Sequence, residues 1–152
     1  MAILDANLEL ADGATSTAQN AASTNVVDTL ALASVLKDAW FLFRVDTAYV
    51  AQIGSPTVTI RIETSATETF GGSSTITLAQ SAAFTVAELT AGKQWAIPLP
   101  SGLKRYVRGV HHPSGAVSPT ALSTAVWDMY IMQEANIRID RRYDLGQNVV
   151  AT

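Results

Sequence analysis

The sequence predicts an all-β protein: an antiparallel β-sandwich or jelly roll of about eight strands, with an extended N-terminal arm and at most one short helical turn. Three observations predict it. From Val26 onward, short runs rich in Val, Ile, Thr and aromatic residues are separated by Gly, Pro, Ser and Asn, the grammar of a many-stranded antiparallel fold. Residues 57–63 alternate cleanly, with Val58, Ile60 and Ile62 on one parity and Thr57, Thr59, Arg61 and Glu63 on the other. No window carries the amphipathic helical period that a parallel α/β fold would need between its strands.

In chain order, residues 1–25 read as the arm. After the short apolar pattern Leu4, Leu8, Leu10 comes an Ala/Thr/Ser/Gly stretch, Ala11 to Asn20, with nothing to anchor it. A weak strand is expected over 26–32 and a strong one over 39–47, Ala39-Trp40-Phe41-Leu42-Phe43-Arg44-Val45-Asp46-Thr47. The alternating strand 57–63 has one wet face. Thr64 to Ser74 form a polar loop with a Gly71-Gly72 turn, followed by a strand at 75–79. Thr85-Val86-Ala87-Glu88 fits the capping box, in which a Thr hydroxyl and a Glu carboxylate satisfy each other's free backbone N–H groups, and Gly92 ends that single turn. Strands resume at 94–99, 104–111 and 121–132. The chain therefore divides into an arm over 1–25, a sandwich domain over 26–135, and a segment over 136–152 that is either part of the fold or a contact tail.

With 152 residues the chain is long enough to bury a core without staples. Hydrophobic residues make up 48% and charged residues only 15%, against roughly 25% in ordinary soluble domains. Ser, Thr and Ala thus cover the surface in place of Lys and Glu, and such a surface is easily desolvated when another protein covers it. The formal net charge of −3 argues against nucleic acid as a partner, because phosphate neutralisation needs a clustered positive excess. The absence of cysteine rules out disulfides, thiolate metal sites and a cysteine nucleophile. No window approaches eighteen apolar residues and the N-terminus carries no signal pattern, so a cytoplasmic product without a membrane partner is expected.

Constellations that could carry chemistry are sparse. His111 and His112 are adjacent on a strand and point to opposite faces, which prevents both from gripping one metal ion. Ser114, His112 and Asp128 could be drawn as a triad, but no G-x-S-x-G elbow supports it. The carboxylates show no calcium-loop spacing, and no cofactor is expected. Lys104, Arg105 and Arg108 form either a solvated basic face or a contact. Arg138, Asp140, Arg141, Arg142, Tyr143 and Asp144 suit a polar interface with Arg anchors as well as they suit simple exposure. Trp40, Trp95 and Trp127 fit core positions of strands, with sugar stacking as the alternative. The candidate contact residues are Leu4, Leu8, Leu10, Arg138, Arg141, Arg142 and Tyr143.

Four stretches spread over the chain carry a resemblance: Ile3-Leu4-Asp5, the run Ala21-Ala22-Ser23-Thr24-Asn25-Val26-Val27-Asp28, the strand Lys104-Arg105-Tyr106-Val107-Arg108, and Arg141-Arg142-Tyr143-Asp144. Through them the chain resembles the jelly-roll capsid cement (decoration) proteins of short-tailed bacteriophages, of the type found on the Bordetella phage head. The resemblance implies a non-enzymatic structural subunit, a homodimer or other homo-oligomer. It implies binding to the outside of an assembled shell, where the partner is a major capsid protein of HK97-like fold. A carbohydrate-binding sandwich, such as a phage receptor-binding module, is the alternative.

Overall fold

The computed structural model describes residues 8–16, 21–31, 39–51, 55–114 and 125–133. Among these, ten strands occur in chain order: β1 (Glu9–Ser16), β2 (Ala21–Ala22), β3 (Val27–Asp28), β4 (Ala39–Thr47), β5 (Thr57–Ser65), β6 (Thr75–Gln80), β7 (Phe84–Thr85), β8 (Gln94–Pro98), β9 (Tyr106–Ser114) and β10 (Ala125–Gln133). They make two sheets. One has the order β1-β10-β4-β8; the other has β2-β9-β5-β6, with β3 also on β9 and β7 also on β5. Every pairing is antiparallel, and the partners nest, first strand with last: β1 with β10, β2 with β9, β4 with β8, β5 with β6. This nesting is a long hairpin rolled up into two facing layers, the jelly-roll form of the sandwich.

The core lies between the two inner faces and follows strand parity. Phe41, Phe43 and Val45 of β4 meet Ala125, Trp127, Met129 and Ile131 of β10, while Val58, Ile60 and Ile62 of β5 and Val107 of β9 close from the other sheet. All are essentially sealed from water. Apolar area removed from water is worth roughly 25 cal/mol per Å², which makes this face the main source of stability. The opposite face of β5 holds Thr57, Arg61 and Glu63 partly exposed, as the alternation predicts, whereas Thr59 of the same parity is buried, its hydroxyl donating to the His112 carbonyl.

The predicted boundaries of β4 coincide with the observed ones, whereas the weak strand expected over 26–32 shortens to β3 followed by a 3-10 turn, Thr29–Ala31. Further 3-10 turns occur at Gly72–Ser74 and Val86–Glu88, so the described residues hold three short turns where one was expected. The capping box at the last of these is present, with the Glu88 carboxylate accepting the Thr85 N–H at 2.7 Å.

The largest difference from expectation is at the N-terminus. Glu9–Ser16, expected in an extended arm, is a strand paired along β10 of its own chain, and Ala21–Ala22 pairs with β9. Leu8 and Leu10 are buried in the core. The physical reason is that two leucines and Ala11 suffice to anchor an edge strand when the neighbouring strand already supplies a complete row of backbone partners. The small residues beyond them let that strand bulge without steric cost. Gly13 takes a left-handed conformation (φ 59°) within the second of two register shifts, the one between Ala11 and Ala14, and its N–H is received by Asp128 Oδ1 at 2.8 Å.

Gly109, on the inner face of β9, marks a close approach of the sheets. A Cβ there would run into Met129 Sδ and come within 3.3 Å of the Phe41 ring. Gly109→Ala is therefore expected to cost about 1–3 kcal/mol of stability through overpacking. In urea denaturation the double variant Gly109→Ala/Met129→Ala should lose less than the two single losses combined, because the shortened side chain makes room. Strict additivity would show that the two residues do not compete for this space.

Candidate interaction surfaces

The basic residues around β9 are each engaged. Arg105 forms a two-pronged contact with Asp28, Nη2 to Oδ2 at 2.9 Å and Nε to Oδ2 at 3.1 Å, tying β3 to the start of β9. That hydrogen bond, more than any other influence, holds the Asp28 carboxyl below the usual carboxylate range. Arg108 donates to Glu63 Oε2 at 2.7 Å while its guanidinium lies 4.3 Å from the centre of the Phe70 ring. Lys104 Nζ donates to the carbonyl of Ser74 at 3.0 Å. Of the two readings open for this cluster, the geometry gives intramolecular pairing: these cations join neighbouring strands and turns, and form no bare phosphate-binding stripe.

The histidines separate as strand geometry requires. His111 is buried in the core as the middle ring of a stack, 5.4 Å from Tyr49 and 5.8 Å from Trp127 between centroids. Burial, reinforced by repulsion from His112, pushes its pKa down to about 4. His112 lies on the outward face of β9, and its backbone carbonyl accepts the Thr59 hydroxyl at 3.2 Å. Asp128 projects from the outward face of the other sheet, so the sandwich separates it from His112 and the triad Ser114, His112, Asp128 is not assembled. Among the described residues no group of three His, Asp or Glu side chains could hold a metal ion. No helix among them is long and apolar enough to cross a membrane.

Of the residues expected to make outside contacts, Leu8 and Leu10 are consumed by their own core, while Leu4, Arg138, Arg141, Arg142 and Tyr143 lie outside the described residues. Trp127 is fully buried and Trp95 packs edge-on against Phe41 at 5.9 Å, both as expected for core positions. Trp40 departs from that expectation: it sits half-buried on the outward face of β4, beside Leu42, with Tyr130 and Met132 of β10 opposite. The sequence signal for this second apolar face was the run Trp40-Phe41-Leu42-Phe43, apolar on both parities, which marks a strand covered on two sides.

Among the described residues, three large apolar side chains are exposed: Leu30 after β3, Val50 after β4 and Ile76 on β6. None belongs to the contact set read from the sequence. Ile76 lies on the outermost strand of its sheet among the described residues.

No curated protein matches the chain. The family model Bbp16 matches residues 10–115, which runs from β1 through β9 and takes in both sheets. With more than half of its length matched, a nested antiparallel sandwich and no assembled reactive cluster among its described residues, the chain belongs to the Bbp16 family, a family of Bordetella phage proteins.

Proposed function

We propose that this protein is a capsid cement subunit: a non-enzymatic structural protein that binds the outside of an assembled phage head and bridges neighbouring major capsid subunits of HK97-like fold. The observation that carries the reading is the family match laid over a charge-poor sandwich. A surface of Ser, Thr and Ala loses little on desolvation, and two of the described cations, Arg105 and Arg108, are paired with carboxylates of their own chain. On a closed shell, modest contacts suffice, because each subunit's neighbours hold it at high effective concentration. The proposal includes self-association as a homodimer and a place on the virion exterior after synthesis in the host cytoplasm.

Co-sedimentation tests it. Purified protein mixed with undecorated heads is expected to pellet with them and to saturate at a fixed ratio, while unassembled major capsid protein retains little of it. Heads that pellet alone at saturating protein would remove the reading.

A further inference from the structure

Of the four sheet edges among the described residues, three carry features that block the addition of another strand. β1 has two register shifts with Asp12 and Gly13 between its ends. β8 is five residues long, ends on Pro98 and follows Lys93. On the far side of β9, the edge is broken into the two-residue strands β2 and β3, with Ser23 bonded to Gly109 between them. Natural edges use these devices against unwanted pairing.

β6 has little of this protection. Its sequence, Thr-Ile-Thr-Leu-Ala-Gln over Thr75–Gln80, contains no charge and no proline, and its one irregularity is the register shift opposite Ile62 and Glu63. Among the described residues its backbone bonds to β5 alone, which leaves its outer row of N–H and C=O groups open. Ile76 stands 45% exposed on this strand. The two ends of the edge are cationic. Lys104 Nζ is held at Ser74, just before the strand, and Arg61 Nε donates to Gln80 Oε1 at 2.8 Å at its end.

We propose that the β6 edge is a strand-addition site for an extended segment of a partner protein, uncharged in its middle and bearing a carboxylate at each end. Backbone pairing along the edge supplies the affinity, and the two cations set the spacing of the acids at about six residues, the length of β6. A second copy of this chain is the poorer occupant, because antiparallel pairing of two β6 strands across a two-fold axis sets Arg61 of each against Lys104 of the other. The assignment stands whether or not the protein binds a shell.

The test uses the full chain and two macrocyclic hairpin peptides whose open strand alternates Val and Thr, one with Asp at both ends and one with Lys. Fluorescence anisotropy is expected to show the Asp peptide binding at least tenfold more tightly, with slowed hydrogen exchange at amides 75–80. Ile76→Asp, at an exposed position, should weaken that binding at least tenfold, and Arg61→Glu should erase most of the preference. Equal binding of the two peptides, or binding of neither, overturns the proposal. So does a concentration-dependent dimer, seen by analytical ultracentrifugation, that Ile76→Asp dissolves, since the edge would then belong to a second copy.

Discussion

Trp127→Ala is expected to lower the free energy of unfolding by about 3–5 kcal/mol, a large part of the total for a domain that follows ordinary stability scales. Trp127 is the largest fully buried side chain and lies at the centre of the inner face of β10. It stacks on His111 at 5.8 Å and tilts against Phe43 at 6.3 Å between centroids, so its removal strips one ring from each of two contacts and opens a cavity. Trp127→Phe should cost far less, because it keeps a ring in the stack and removes an indole N–H that is buried without a hydrogen-bond partner among the described residues. Urea denaturation followed by far-UV circular dichroism measures both. A loss under 1 kcal/mol for the alanine variant would contradict a core centred on this residue.

Acid should weaken the fold through His111. In the folded protein its pKa is pushed down to about 4, against an ordinary value of 6.5, first by burial and then by His112. The unfolded chain therefore takes up a proton that the folded chain refuses. Above pH 6.5 neither state binds it and stability is unaffected. As pH falls from 6.5 to 4 the unfolded state gains, and the loss approaches about 3 kcal/mol, after which it levels off. His111→Phe, which keeps an aromatic ring between Tyr49 and Trp127, should flatten that part of the profile. Stability curves of parent and variant that run parallel between pH 7.5 and 4.5 would rule out this role. The comparison is with the variant because carboxylates held below their usual range, Asp28 and Glu88, also lose stabilising contacts in acid and are common to both proteins.

How much of this was legible in the chain depends on the range of the signal. The alternation of Val58, Ile60 and Ile62 reports a local period, and the structure places those three side chains in the core. The capping box at Thr85 and Glu88 is equally local and forms as read. The run Leu8, Leu10, Ala11 reads as part of an extended arm because its strand character depends on a partner more than a hundred residues away, Ala125–Gln133, which no local window contains. The same holds for the cations. Arg105 and Arg108 look alike in sequence, and only the fold reveals that one meets Asp28 and the other Glu63.

By itself, then, the amino-acid sequence determined the class of the molecule: β-structure from its periods, a low-charge exterior from its composition, and opposite faces for His111 and His112 from their adjacency. The tertiary structure alone decided which strands pair, which carboxylates Arg105 and Arg108 meet, that Leu8 and Leu10 belong to the core, and that β6 is the outermost described strand of its sheet. The division has one cause. Side-chain periodicity is set by backbone geometry within a few residues, whereas nested pairing of first strand with last is set by contacts between segments that the sequence keeps far apart.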